Sequence, residues 1–219
     1  MAQHEQLKDL AHIRGLMDRS TRFLSLSGLS GVVAGVVALG GAALAQYHIE
    51  RALTPGVDVL TYGTGGGYTQ ADGLLVQLIV DASCVLALAL LSAWWFTWRR
   101  GQKTGQHLWD ASARRLLVNL MVPLSAGGLF CLALFYYGLP GLVAPATLVF
   151  YGIALFNAGR YTLDEVRWLG VSELVLGIIA MFWIEAGLLF WALGFGVMHI
   201  VYGGSMYLRH ERGADKANA

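Results

Sequence analysis

The chain has 219 residues, of which 56% are hydrophobic and 13% charged, with a mean hydropathy of +0.56 and a formal net charge of +1. Soluble domains contain about 25% charged residues, so this composition excludes an ordinary soluble domain and indicates a membrane protein. The net charge gives no reason to propose nucleic-acid binding, since nothing in the sequence resembles a basic stripe that neutralises phosphates.

Six segments are long and apolar enough to cross a bilayer, for which about 20 residues are needed. Fourteen of the fifteen Lys and Arg residues fall on one side of these segments, and Arg51 alone falls on the other. Basic residues concentrate on the cytoplasmic side, so we predict an all-α bundle of six transmembrane helices. It forms three in-out-in hairpins with both termini in the cytoplasm. The spans are Phe23 to Tyr47, Gly73 to Phe96, Leu116 to Tyr137, Leu142 to Ala158, Val166 to Ile184 and Ala186 to Leu208.

Residues 1–22 precede the bundle, which covers residues 23–208 and is followed by a cytoplasmic tail at 209–219. In the first segment Leu7, Leu10, Ile13, Leu16 and Met17 recur at helical spacing, with charged residues on the other faces. This pattern predicts a cytoplasmic amphipathic helix. Two roles stay open for it: binding to the membrane surface, or packing under the bundle to set the angle of the first span.

One face of the first span consists of polar and small residues. Ser27, Gly31 and Gly35 follow one another at four-residue intervals, and the two glycines form a Gly-x-x-x-Gly motif. This motif permits close helix approach in membranes. It predicts packing inside the bundle, with a homodimer seam as the alternative.

Gly28-Leu29-Ser30-Gly31 resembles the Gly-x-Ser-Gly motif of rhomboid intramembrane proteases, which have six core spans. The resemblance implies Ser30 as a nucleophile and His199 of the sixth span as its base. It extends over four residues. In rhomboids the serine opens the fourth span near the outer side, whereas Ser30 lies in the first span toward the cytoplasm. The second span also lacks the His and Asn pair of that family.

The external loop at 48–72 contains the run Gly65, Gly66 and Gly67. This run lacks the Lys-Ser/Thr ending of a phosphate-binding loop, so we predict a flexible connection.

The second span contains the ionisable residue Asp81, about 12 Å from the outer boundary. Gln77, Cys84 and Ser92 share its helix face, and we predict that this polar face looks into the bundle. Arg167, the second residue of the fifth span, is the one Lys or Arg inside the predicted spans, so no basic side chain lies near the depth of Asp81. Asp81 is therefore either protonated and hydrogen-bonded to a neighbouring helix, or bound to water or a small cation.

The last two spans contain Glu173 and His199. If their hairpin turns near Ala186, antiparallel helices place Glu173 opposite His199 at one depth. The same geometry places Gly177 opposite Gly196, and Gly170 opposite Gly203, which predicts a tight seam of small residues. A His-carboxylate pair in a low dielectric can exchange a proton. The alternative is a neutral, hydrogen-bonded pair that only holds the hairpin together.

Ser27, Ser30, Asn119 of the third span and Asn157 of the fourth add neutral polar groups near the inner end. His199 is the only mid-membrane histidine, so a second axial ligand for haem is missing at its depth. We therefore predict no cofactor and no metal centre. The two cysteines, Cys84 and Cys131, lie within spans, where a cysteine usually packs as a small apolar side chain and does not form a disulfide.

The leading functional hypothesis is passage or sensing of a small solute, ion or proton at Glu173, His199 and Asp81, in the inner membrane of a bacterium. Ionisable residues inside spans are functional candidates because a charge in hydrocarbon is costly. The first alternative is a non-catalytic membrane subunit that docks a partner protein, and the second is an intramembrane hydrolase. Enzymatic activity is not predicted by any pattern other than the short rhomboid-like motif. The predicted partners are the lipid bilayer and either a solute or cation, a second copy, or another membrane protein.

Overall fold

The computed structural model describes residues 26–52, 68–104 and 109–212, and no strand occurs in these ranges. Five helices precede the sixth span, and 3₁₀ turns at Pro140–Leu142, Gly159–Tyr161 and Ile184–Ala186 join some of them. The sixth span is a short helix, a π-helical segment and a final helix in succession. The helices are α1 (Gly28–Ala52), α2 (Tyr68–Thr104), α3 (Ala111–Tyr136), α4 (Val143–Ala158), α5 (Asp164–Phe182), α6 (Gly187–Trp191) and α7 (His199–His210), with the π-helical segment at Ala192–Met198.

The all-α prediction is confirmed for the described residues. Five segments are long and apolar enough to span a membrane, and they include every predicted span except the fifth. That span is α5, which has 19 residues and bears Asp164, Glu165, Arg167 and Glu173. The direction of each span and the side of each terminus stay predictions.

Several boundaries differ from those predicted. α1 continues through Ala52 and α2 begins at Tyr68, so residues 48–52 and 68–72 are helical and do not belong to the loop. Polar and charged residues at these ends, such as Gln46 and Glu50, form hydrogen bonds within the helix, which allows it to extend past the apolar segment. The predicted amphipathic helix at 1–22 lies outside the described residues, as does the tail from residue 213.

Local sequence explains where helices start and turn. The Asp110 side chain accepts a hydrogen bond of 2.7 Å from the Ala113 N–H and so caps the start of α3. After α3 the chain reverses at Gly138, whose φ of 70° lies in the left-handed region that favours glycine. A 3₁₀ turn at Ile184–Ala186 joins α5 to the sixth span, at the position that we predicted for this hairpin.

The four helical spans α1, α4, α5 and α6–α7 form the centre of the bundle. α4 packs most extensively on α5, and α1 packs on both α2 and the sixth span. α2 and α3 lie at the periphery: only 6% of the apolar part of each is buried, compared with 33% for α1 and 39% for the α4 segment.

Glycines allow these close approaches, but their partners differ from those predicted. A Cβ on Gly170 would lie 2.8 Å from the Gly152 carbonyl oxygen of α4, and one on Gly177 would lie 2.8 Å from Val149. Gly196 meets Leu39 of α1, and Gly203 meets Gly28 and Gly31. The predicted pairs Gly177 with Gly196 and Gly170 with Gly203 are therefore wrong. The small residues of α5 contact α4, whereas the small residues of the sixth span contact α1.

The Gly31 and Gly35 motif is used inside the chain. A Cβ on Gly31 would lie 3.2 Å from the Gly203 Cα, and one on Gly35 would lie 2.6 Å from the Gly196 carbonyl oxygen. The alternative of a homodimer seam on this face of α1 is therefore excluded, because the sixth span occupies it.

Candidate functional site

Glu173 lies in the middle of α5, and its side chain is completely buried, with 0% exposure. Neither carboxyl oxygen forms a hydrogen bond to another described residue. Gly194 lies against the carboxyl group: a Cβ at this position would be 2.3 Å from Oε2 and 2.5 Å from Leu148 Cδ2. The glycine therefore provides the space that the carboxyl group fills.

His199 is the first residue of α7, directly after the π-helical segment. Its Nδ1 lies 3.1 Å from the Gly194 carbonyl oxygen and 3.3 Å from Glu173 Oε1. A carbonyl oxygen can only accept, so we assign the ring hydrogen to Nδ1, which donates to Gly194. The structure thus brings Glu173 and His199 together, and it adds the Gly194 carbonyl between them.

The π-helical segment makes this arrangement possible. It widens the helix by one residue per turn, and single π turns are frequent at functional sites. Gly194 lies five positions before His199, so the side-chain hydrogen bond spans the same interval as a π-helical backbone bond. The ring is therefore held by the backbone of its own helix while it faces α5.

Tyr151 of α4 completes the cluster. Its Oη lies 2.9 Å from His199 Nε2. The Tyr151 and Phe195 rings flank the imidazole nearly in parallel, with centroids 5.5 Å and 5.9 Å away and interplanar angles of 21° and 18°. Trp191 continues the row, 5.0 Å from Phe195. Aromatic rings thus cover both faces of the imidazole.

The cluster accommodates two distributions of protons without moving its heavy atoms. In the first, Glu173 is ionised, His199 is an imidazolium, and Nε2–H donates to Tyr151. In the second, Glu173 is protonated, His199 is neutral, and the Tyr151 O–H donates to Nε2. A hydroxyl group both donates and accepts, so Tyr151 satisfies Nε2 in either case. Glu173, His199 and Tyr151 are hereafter called the buried triad.

Asp81 is not part of the buried triad. It lies on α2, which packs chiefly on α1, and its Oδ1 would be 3.6 Å from a Cβ on Gly41. The prediction that its polar face looks into the bundle is wrong: Asp81 is half-buried at the α1 interface, while Gln77 and Cys84 are exposed. The reason is that α2 is peripheral and has only one close neighbour.

The neutral polar residues predicted to line the site also lie elsewhere. Ser27 Oγ donates to Glu211 Oε2 at 3.1 Å, and Ser30 Oγ donates to the Ser27 carbonyl oxygen at 2.5 Å. Asn119 donates to the Arg115 carbonyl of its own helix at 2.8 Å. Asn157 is half-buried on α4. None of the four forms a hydrogen bond with the buried triad.

The serine of the rhomboid-like motif is not paired with the histidine. Both His199 nitrogens are engaged, Nε2 with Tyr151 and Nδ1 with Gly194 and Glu173, while Ser30 Oγ donates to Ser27. The geometry of a serine nucleophile with an adjacent base is therefore missing from Ser30 and His199.

A second polar cluster ties the helix ends together on the side that we predict to be cytoplasmic. The Glu211 carboxylate accepts from the Gly28 N–H at 2.5 Å and lies 3.0 Å from Arg100 Nη1. Arg100 also donates to the Leu26 carbonyl oxygen. Glu211 thus caps α1 and pairs with Arg100 near the C-terminal end of α2.

Sequence analysis missed Tyr151 and Glu211. A single tyrosine in an apolar span looks like ordinary packing, although its hydroxyl group in mid-span needs a partner. Glu211 lies in the predicted tail, where a charged residue raises no question. Ser27 ahead of an apolar helix is a typical N-cap residue and was the available signal that α1 starts at Gly28.

No group of three or more His, Cys, Asp or Glu side chains among residues 26–52, 68–104 and 109–212 is arranged to hold a metal ion. No family model, curated protein or solved structure matches the chain. The fold and the site therefore define only a broad class of protein. It is an all-helical protein with a buried carboxyl–imidazole–phenol triad, and its helices are compatible with an integral membrane protein in contact with lipid.

Proposed function

We propose that this protein is a proton-responsive membrane protein, in which the buried triad changes its protonation and thereby alters the packing of the central helices. The observation that supports this most is the Glu173 carboxyl group: it is completely buried, and its Oε1 lies 3.3 Å from His199 Nδ1. An isolated carboxylate in an apolar interior is strongly disfavoured. The ionised form therefore depends on a proton on His199.

Sensing is better supported than passage of a solute. The space beside Glu173 Oε2 is closed by Gly194 and Leu148, where even one added methyl group would clash. A proton fits such a site, but a hydrated ion or small solute does not. Asp81, the third residue of the predicted site, lies on a different helix and outside the triad.

Three spans meet at the triad, which explains how a proton could change packing. Tyr151 comes from α4, Glu173 from α5 and His199 from the sixth span. The Ser172 and Tyr202 hydroxyl groups, 3.1 Å apart, add a second link between α5 and α7. A change in the charge of the triad therefore acts at the junction of α4, α5 and the sixth span.

The docking alternative loses part of its basis, because the glycine seams that it invoked are filled by neighbouring helices of the same chain. Its remaining basis, the helix at 1–22, lies outside the described residues. For the location we retain the inner membrane of a bacterium as a proposal, based on the distribution of Lys and Arg.

Infrared difference spectroscopy of the reconstituted protein tests the proposal. Between about pH 5 and 8, the range in which histidine usually titrates, we expect carboxyl and imidazole bands to change together. Glu173→Gln should remove the carboxyl band and shift the imidazole transition. Glu50→Gln is the matched control, because Glu50 is exposed and bonds only Gln46 among the described residues. Absence of a coupled transition in the unmodified protein would refute the proposal.

Vesicles that contain a pH-sensitive dye separate sensing from passage. We expect no proton flux above that of empty vesicles, and equal results for Glu173→Gln and Asp81→Asn. A flux that Glu173→Gln abolishes would show that the triad conducts protons, and sensing alone would then be rejected.

A further inference from the structure

Along the edge of its contact with α1, α2 bears polar side chains that no described helix covers completely. Leu74 and Val85 of α2 are buried, and Val85 lies against Gly41 of α1. Beside this contact lies a row of residues that runs along α2 at alternating intervals of four and three. All but the half-buried Asp81 are exposed. The row, hereafter the α2 face, consists of Gln77, Asp81, Cys84, Leu88, Leu91 and Trp95.

Two of these residues are poorly suited to contact with lipid. No hydrogen bond or ion pair joins Asp81 or Gln77 to a described residue, and His48 of α1 acts on Asp81 only electrostatically. Polar groups in hydrocarbon associate with polar groups of other helices. The α2 face therefore requires a partner that supplies hydrogen-bond donors for a carboxyl group and an acceptor for an amide.

We infer that the α2 face binds a second copy of this chain. Gln77 and Asp81 lie one turn apart on the same face, so the face supplies both the donor and the acceptor that it needs. Two copies related by a two-fold axis exchange these bonds twice, Gln77 of each to Asp81 of the other. The four-three spacing is the heptad pattern of two helices packed at a small angle.

The alternative surface for self-association is filled. The Gly31 and Gly35 motif of α1 contacts Gly203, Gly196 and Ile200 of the same chain. α2 by contrast has 6% of its apolar window buried. A second copy on the α2 face leaves the buried triad undisturbed, because α2 does not contribute to it. The inference is thus independent of the proposed function.

Cys84 makes the geometry testable. Both copies have the same orientation in a membrane, so a two-fold axis along the membrane normal places identical residues at one depth, side by side. Cys84 is a free, exposed cysteine on the α2 face, and the other cysteine, Cys131, is buried. In a Cys131→Ser background we expect mild oxidation in native membranes to give a disulfide-linked species of twice the chain mass.

The control moves the thiol to the opposite face. Leu86 is 59% exposed and lies two residues from Cys84, half a turn around α2. Leu86→Cys combined with Cys84→Ser and Cys131→Ser should give little cross-linking. Equal cross-linking of the two thiols would indicate random collision and overturn the inference, as would the absence of a Cys84 cross-link. A Cys84 cross-link to a different protein would overturn it as well.

Substitution of the polar pair tests the chemistry. Gln77→Leu removes two symmetric hydrogen bonds per dimer, and we expect dimerisation in detergent micelles to weaken about ten-fold, since such bonds in membranes are worth about 0.6 kcal/mol each. Leu86→Ala on the opposite face should leave the dimer constant unchanged. A Gln77→Leu dimer as stable as the unmodified one would overturn the assignment of Gln77 and Asp81 to the interface.

Discussion

Tyr151 Oη and His199 Nε2 are joined by a contact of 2.9 Å, although 48 positions separate the two residues in the chain. This contact makes α4 a member of the site that sequence analysis assigned to α5 and the sixth span alone. It also gives Nε2 a partner that serves both protonation states of the imidazole. The charge of His199 is therefore linked to three helical spans at once.

Tyr151→Phe isolates this contact, because it removes the hydroxyl group and keeps the ring that stacks on His199. An unsatisfied buried polar atom costs about 1–3 kcal/mol, so we expect a loss of stability of that order. The loss should be largest where His199 is an imidazolium, whose Nε2–H then lacks an acceptor. Unfolding in mixed micelles at several pH values measures both effects. A Tyr151→Phe variant as stable as the unmodified protein at every pH would contradict the role of Tyr151 as the partner of Nε2.

Gly194→Ala should be strongly disruptive. Its Cβ would lie 2.3 Å from Glu173 Oε2 and 2.5 Å from Leu148 Cδ2, and overpacking costs about 1–3 kcal/mol. The carboxyl group must also move away from His199, so the imidazole transition should change with the stability. Gly204→Ala is the control: nothing lies within 4 Å of its added Cβ, and helix propensity favours alanine by about 1 kcal/mol. If both variants have equal stability, the described packing of Glu173 is incorrect.

The contact of Glu173 with His199 could be predicted because a tight turn fixes the depth of residues in an antiparallel hairpin. The rotation of each helix about its axis is not fixed in this way. Gly170 and Gly177 lie on the face of α5 that includes Glu173, yet they meet α4, while Gly196 and Gly203 meet α1. Small residues identify a close contact but do not identify the partner.

Tyr151 and the π-helical segment could not be predicted for a related reason. Nothing in the run Ala192–Met198 distinguishes a π turn from α-helix, because the difference is one residue per turn and depends on tertiary packing. For Asp81, sequence analysis predicted a contact inside the bundle that the structure does not show. Its polar face indicates a need for hydrogen-bond partners, but sequence periodicity does not tell whether the partner belongs to the same chain.

Glu211→Ala should loosen the junction of α1, α2 and α7. Removal of the carboxylate deprives the Gly28 N–H and the buried Ser27 hydroxyl group of their acceptor and removes one ionic contact of Arg100. Loss of a helix cap costs about 0.5–2 kcal/mol, so we expect a decrease in stability of about that size. Glu50→Ala, at an exposed site, is the control. Equal effects of the two substitutions in the same unfolding assay would show that Glu211 does not act as a cap.

Glu165 gives a pH dependence whose direction follows from its surroundings. It lies just before the predicted fifth span, 3.2 Å from His210 Nε2 and 3.4 Å from Arg209 Nη1. Burial alone would raise the pKa of the Glu165 carboxyl group. Hydrogen bonds from the backbone and His210 and the charges of His210 and Arg209 outweigh burial and lower the pKa below its usual 4.5.

Because the folded state binds the Glu165 proton more weakly than the unfolded state, ionised Glu165 stabilises the fold. The contribution is complete above the usual pKa of 4.5 and is lost as the pH falls through the lower pKa of the folded state. Surface ion pairs contribute at most about 1 kcal/mol, so the effect is small. We expect Glu165→Gln to be less stable than the unmodified protein at neutral pH and equally stable in acid. Glu185→Gln, at an exposed position in the turn before α6, should lack this difference. A gap between Glu165→Gln and the unmodified protein that widens in acid would contradict the sign of the shift.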